Sequence, residues 1–419
     1  MRGDHFQAVV DRYQAERRLP SIVVGVLDGA DLAWTGTAGA ETTTDTQYRI
    51  GSITKTITAI LVMQCRDDGL LDLDDPVGKH VVETGYGAAT VRSLLAHLSG
   101  MQSEPVGPWW ERSPGVGVEQ LLAANDGSGA VFGPGEHYHY SNLGYGILGA
   151  LVVRLRERSW AELVEQRVLS PLRMTRTSYA PQEPYARGRS VHHLAGTLTE
   201  EPMHDTGAMA PAGQLWSTVE DLARFAAFLT LGNPEVLADD TLAEMRRPVP
   251  PALEYGLGVR LVPYAEGSLV GHTGSMPGFQ AMLFADPLNH VGVVALTNAT
   301  TGFSGPELAV ALLSEHTPGP VAPWVPTTTV PHWAAELLGN WYWGNSAYEL
   351  RWHNERLEWR DLARSAVAEQ FGLLDDRIVG LAGYHHGETL RVVRRDDGTV
   401  DHLECASFVY TREPYPEGP

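Results

Sequence analysis

Gly51-Ser52-Ile53-Thr54-Lys55-Thr56-Ile57-Thr58-Ala59-Ile60-Leu61-Val62-Met63 sets a serine three residues before a lysine at the head of an apolar run. The run predicts a helix, and on a helix that spacing puts both side chains on one face, within reach of each other. A serine hydroxyl becomes a nucleophile when a neighbouring base takes its proton. A lysine amine can be that base if burial brings its pKa from about 10.4 towards 7, and the apolar residues around Lys55 supply burial. The same spacing also describes a helix N-cap followed by a snorkelling lysine. Composition weighs on the choice. Among 31 lysines and arginines only Lys55 and Lys79 are lysines, so the chain meets almost all its need for positive charge with arginine, which cannot act as a base. Lys79 follows Pro76 and forms no comparable pair.

The chain has 419 residues, enough for two or three domains, and its 43% hydrophobic and 20% charged content is that of a globular protein. A net charge of −20 argues against nucleic acid and anionic membranes as partners, since both require a basic face. The N-terminus, Met1-Arg2-Gly3-Asp4-His5, leads into an amphipathic run without the apolar core of a secretory signal. No stretch is long and apolar enough to span a bilayer, so a cytoplasmic location is expected. Cys65 and Cys405 form neither a disulfide framework nor a metal motif, and His192-His193 and His385-His386 lack zinc spacing. No metal or cofactor is expected.

Residues 21–27, the turn Asp28-Gly29 and Leu32-Ala33-Trp34 predict a β-hairpin. The Ser52 helix should stop at Asp67-Asp68-Gly69. Helical patterns dominate from Thr90 to about Leu231, and strands return at Gly256–Leu261, Ser268–His272, Gln280–Ala285 and His290–Asn298. A sheet built from both chain ends with a helical middle is an α+β or three-layer arrangement. Residues 317–331 read as a proline-spaced linker. After them, short alternating segments such as Tyr348-Leu350-Trp352 and Phe408-Tyr410 predict a small antiparallel sheet or barrel. The expected domains are therefore 1–316 and 332–419.

Two further constellations carry chemistry. Tyr140-Ser141-Asn142 follows a Gly/Pro loop and precedes a helical run. A tyrosine beside a lysine ammonium can have its pKa lowered and shuttle a proton, and Asn142 can bind a substrate amide. In His272-Thr273-Gly274-Ser275 the small residues let a strand edge approach a substrate, and the Ser275 N–H can join that of Ser52 in an oxyanion hole. Taken singly, each also reads as ordinary structure: a surface turn, a satisfied histidine. Gly144-Tyr145-Gly146-Ile147-Leu148-Gly149 matches a dinucleotide fingerprint, but no strand precedes it, and a small-residue helix face fits better.

Ser52-x-x-Lys55, Tyr140-x-Asn142 and His272-Thr273-Gly274, in that order, resemble the class C β-lactamase and penicillin-binding-protein family. Arg92-Ser93-Leu94-Leu95-Ala96-His97-Leu98-Ser99-Gly100 and Pro211-Ala212-Gly213-Gln214-Leu215-Trp216 look like the same family, and the likeness covers about 20–300. It implies a three-layer α/β/α fold with a helical subdomain, and residues 332–415 are similar to the lipocalin-like domain appended in several relatives. By this resemblance Ser52 is acylated, Lys55 and Tyr140 move the proton, Asn142 holds the acyl amide, and His272 supports the tyrosine or the incoming nucleophile. Penicillin-recognising members usually carry lysine where His272 stands, so a true β-lactamase is disfavoured.

The first expectation is a serine hydrolase of esters or small peptide and D-amino-acid amides. The second is a stand-alone thioesterase releasing nonribosomal peptides by macrocyclisation, in which Arg412 of Tyr410-Thr411-Arg412 would hold a substrate carboxylate bidentately. A catalytically silent scaffold is a third. The expected partner is a small-molecule or peptide acyl substrate; the sequence leaves oligomeric state open.

Overall fold

The computed structural model describes residues 2–40, 42–314 and 316–414. The chain divides into two compact units, one of residues 1–190 and 200–324 and one of 191–199 and 325–419.

The first unit is built on a six-stranded antiparallel sheet: β1 (Ser21–Asp28), β2 (Asp31–Gly39), β3 (Arg260–Tyr264), β4 (Gly267–Met276), β5 (Phe279–Asp286) and β6 (Val291–Thr297), in the order β2-β1-β6-β5-β4-β3. The hairpin at the front of the chain pairs with the last strand, as Ile22 opposite Thr297 shows. Strand side chains alternate between faces, and this alternation makes two cores. Val24, Met282, Phe284, Val293 and Ala295 pack against helices α1 (Arg2–Arg17) and α5 (Gly305–Leu313). Their neighbours Val23, Ala281, Leu283, Val294 and Leu296 face α2 (Ile53–Asp67), α4 (Val219–Leu231) and the helical region, which includes α3 (Asn142–Arg156). The expected three-layer arrangement is thus realised.

Every residue of α2 from Ile53 to Cys65 is buried, the signature of a helix enclosed on all sides. Gly149 of α3 allows the short helix Ala210–Gly213 to approach, because a β-carbon there would lie 2.1 Å from Pro211 Cγ. That is the small-residue packing face expected from the glycine pattern. The strand expected over 256–261 begins only at Arg260, because residues 257–258 bend and Gly258 takes φ 81°. No helix of the described residues is long and apolar enough to cross a membrane.

In the second unit, eight antiparallel strands from Gly339–Trp343 to Phe408–Thr411 close into a barrel around Trp341, Leu350, Trp359, Phe371 and Leu403. This matches the expected lipocalin-like domain, whose last residues, 415–419, lie outside the described ones. The proline-rich stretch is not a free spacer. Gln14 of α1 donates to the Trp324 carbonyl at 2.9 Å and accepts from its N–H at 3.1 Å, and Trp324 is buried. The stretch therefore belongs to the first unit up to Trp324 and to the second from Val325.

Candidate active site

Ser52 stands at the N-terminus of α2 with no capping hydrogen bond from its side chain, and Lys55 lies one turn on. Lys55 Nζ sits 2.9 Å from Ser52 Oγ and donates to the Ala212 carbonyl at 2.6 Å. That carbonyl takes one amine hydrogen and so directs the remaining face of the nitrogen at the serine. Lys55 is fully buried, and burial pushes its pKa down to about 7 against an opposing pull from Glu104 and Glu111. At neutral pH a large share of this amine is therefore unprotonated and able to take a proton.

Strand β4 brings the third motif to the same place. Strand β3 pairs only with residues 267–271 of β4, and the free side of residues 272–276 lies against the start of α2. Two glycines permit this contact. Gly51 takes φ 52°, a left-handed conformation that suits glycine, and a β-carbon on it would lie 2.5 Å from the Ser275 N. A β-carbon on Gly274 would lie 1.8 Å from the Ile50 carbonyl oxygen and 3.2 Å from the Ser52 N. The backbones of Ser52 and Ser275 are thus brought together beside one cavity that both residues line, the juxtaposition an oxyanion site requires.

Tyr140 stands with its ring centroid 5.1 Å from Lys55 Nζ. Its pKa moves opposite to the sequence expectation: burial pushes the phenol far up, and the neighbouring Ser52 hydroxyl offsets this only in part. Desolvation outweighs any nearby positive charge, so Tyr140 stays a neutral phenol rather than a phenolate. Asn142 donates its amide hydrogen to Glu104 at 2.7 Å, and its buried Oδ1 has no protein hydrogen-bond partner among the described residues. That oxygen is closed to solvent, and Asn142 does not line the cavity that Ser52 and Tyr140 line.

His272 is tied on both ring nitrogens. Its Nδ1 lies 2.5 Å from the Thr273 carbonyl, which can only accept, so Nδ1 carries the hydrogen; Nε2 must then accept from the Tyr255 hydroxyl at 3.0 Å. The chain continues, because His97 Nδ1 accepts the Ser141 N–H at 3.1 Å, which puts the hydrogen of its neutral ring on Nε2, 3.2 Å from the Tyr255 oxygen. Burial lowers both histidines, His272 to about 3 and His97 well below its ordinary value, with Lys55 adding to each. Both rings are therefore neutral across the physiological range. This continuous series links the segment of Tyr140 to the strand of His272.

Ser52, Tyr140, His272, Thr273, Gly274 and Ser275 line one cavity of about 520 Å³. Arg260 of β3 lines it too, donating to Thr273 Oγ1 at 3.1 Å, and among the described residues it forms no ion pair with a carboxylate. A cation thus stands beside the third motif although the motif itself begins with histidine. Arg260 and Tyr255 escaped sequence reasoning. Their only local signal is the mixed Glu254-Tyr255-Gly256-Leu257-Gly258-Val259-Arg260 segment, and their role depends on strand pairing.

Arg412 differs from its expected state. Its guanidinium donates to the carbonyls of Leu338, Asn340 and Glu336 at 3.2, 3.3 and 2.9 Å and lies 3.9 Å over the Trp341 ring. These contacts brace the barrel and use part of the fork expected for a substrate carboxylate.

Comparison with known proteins agrees with this fold. The beta-lactamase family model matches residues 6–316, and a model described as a domain of unknown function matches 330–412. Beta-lactamase-like protein 2 of Dictyostelium discoideum is 27% identical over 266 residues, 58% of this chain and 48% of its own length. The chain spans about half the length of the curated relatives it matches. Among solved structures, the D-stereospecific amidohydrolase from Streptomyces sp. superposes with a TM-score of 0.61 at 29% identity, covering 71% of this chain and 94% of that one. SurE with D-Leu superposes with a TM-score of 0.61 at 25% identity, covering 98% and 99%.

Proposed function

This chain belongs to the beta-lactamase family of serine hydrolases, and from that premise we propose that it forms an acyl-enzyme on Ser52 and cleaves esters or small peptide and D-amino-acid amides. One observation carries the reading: a fully buried lysine amine, lowered to about 7, held 2.9 Å from a serine hydroxyl at a helix N-terminus. Neutral Lys55 takes the Ser52 proton as Oγ bonds to the substrate carbonyl carbon. The resulting oxyanion accepts from the Ser52 and Ser275 amides. The proton passes through the Tyr140 phenol to the departing amine or alcohol as its bond to the acyl carbon breaks. Water then attacks the acyl-enzyme and yields its proton along the same path.

Arg260, which lines the cavity, is suited to a carboxylate at the far end of a peptide substrate, whereas Asn142 Oδ1, unpartnered but closed to solvent, has to be uncovered before it can meet the N–H of an acyl amide. The D-stereospecific amidohydrolase and the D-Leu complex among the structural relatives support D-configured substrates. Transfer of the acyl group to an amine, as in peptide cyclisation, would use the same intermediate. That alternative drew partly on Arg412, which is engaged in part by carbonyls of its own barrel; the amidohydrolase among the structural relatives supports hydrolysis as the first reading.

The test offers the purified protein a short-chain p-nitrophenyl ester, a D-amino-acid amide, nitrocefin and a linear peptidyl thioester side by side. Turnover of the ester and the D-amide to free acids, with nitrocefin spared, is expected. A cyclic product from the thioester would favour the transferase, and inertness towards every substrate would favour a silent scaffold.

A further inference from the structure

The barrel unit contains a cluster that the serine chemistry does not use. His385 and Glu388 lie on the connection between strands Arg377–Ala382 and Thr389–Arg394, and Cys405 ends strand Val400–Cys405. His385 Nδ1 lies 2.6 Å and Cys405 Sγ 3.9 Å from Glu388 Oε2, and the three donor atoms all fall within 4.8 Å of one another. His385 and Cys405 are buried, whereas the Glu388 side chain is 45% exposed and leaves a path from solvent.

The geometry is held from several sides. The Gly380 N–H donates to the Glu388 carbonyl and the Gly387 N–H to the Gly380 carbonyl, each at 2.8 Å, and the His385 N–H donates to Glu369 at 3.0 Å. His385 Nε2 lies 3.2 Å from the Tyr410 hydroxyl, the outer hydrogen bond that orients a ligating imidazole.

We propose that the barrel binds one divalent ion of the zinc class through His385 Nδ1, Glu388 Oε2 and Cys405 Sγ. An imidazole and a sulfur suit zinc or cobalt and disfavour magnesium and calcium, which take oxygen ligands. Three protein ligands leave a fourth tetrahedral position open. On binding, the Cys405 S–H bond breaks, a sulfur–metal bond forms, and one proton leaves to the buffer. In the metal-free geometry the Nδ1 hydrogen points at the Glu388 carboxylate; on binding it is given up and the ring carries its hydrogen on Nε2, facing the Tyr410 oxygen, which leaves the Nδ1 lone pair for the ion and the proton balance unchanged. Sequence reading assigned no metal here because the ligands fit no known spacing; folding brings a loop and a strand end together.

The test uses the full chain, without a polyhistidine tag and stripped by a chelator, titrated with cobalt(II). One equivalent should produce thiolate-to-cobalt charge-transfer absorption, displaced by zinc(II), with one proton released in calorimetry across buffers of different ionisation enthalpy. The band should persist in Cys65→Ser and vanish in Cys405→Ser. Glu388→Gln, on an exposed side chain that the fold tolerates, should weaken zinc binding at least about tenfold. A wild-type protein without the thiolate band, or equal zinc affinity in wild type, Cys405→Ser and Glu388→Gln, would overturn the site.

Discussion

Replacing Lys55 with methionine keeps the volume of the side chain and removes its titration, and the consequence can be worked out. The lysine falls from 10.5 to about 7 on folding, which at about 1.36 kcal/mol per pH unit amounts to roughly 5 kcal/mol. Because the folded value is the lower one, the unfolded chain holds the extra proton between about pH 7 and 10.5. Stability therefore rises with pH across that window, and the full cost is borne below pH 7. Lys55→Met removes this cost but leaves the Ala212 carbonyl without its donor, a loss of about 1–3 kcal/mol. Net stabilisation of about 2–4 kcal/mol is expected at pH 6, shrinking to nothing or reversing at pH 10, as read from urea unfolding. Acylation in the wild type should rise with pH through about 7 and be absent from the variant. A stability difference that does not change between pH 6 and 10 would refute a neutral, buried Lys55.

His272 and His97, buried and neutral, should make the protein lose stability as pH falls below 6.5, because the unfolded chain takes up protons that the folded one refuses. Denaturation midpoints between pH 7 and 4 would show it, and a flat profile would contradict the assignment. Gly274→Ala would place a β-carbon 1.8 Å from the Ile50 oxygen, forcing β4 away from Ser52. Single-turnover kinetics should show acylation slowed by about 10²–10³-fold, the scale of a lost oxyanion donor. Arg260→Ala should raise KM for peptides with a free carboxylate, by about tenfold or more for the lost charged hydrogen bond, and leave neutral esters unaffected; equal losses on both would remove the carboxylate role. Tyr255→Phe takes away the donor to His272 Nε2 and should raise the His272 pKa in histidine NMR titrations, whereas an unchanged titration would detach Tyr255 from the ring.

The sheet and the barrel were legible because each rests on a period of two, and the Ser52 helix because it is an apolar run too long for a strand, buried on every side. The serine, lysine, tyrosine and histidine were legible because short spacings fix their local neighbours. What escaped depends on partners distant in the chain. Arg260 reaches the cavity only through the pairing of β3 with β4, and Tyr255 gains meaning from rings at positions 97 and 272. The sign of the Tyr140 shift was misread because burial, invisible in a three-residue motif, outweighs the charge next to it. The linker was overextended because Gln14, some three hundred residues earlier, holds Trp324. Arg412 was identified as a fork without the carbonyls that engage part of it.

Intact-mass measurement after exposure to an activated D-aminoacyl ester tests the Ser52 nucleophile most directly. One acyl group should add to the wild type, map to the peptide containing Ser52, decay on further incubation, and be missing from Ser52→Ala. An adduct that persists in Ser52→Ala, or that maps to another residue, would contradict it.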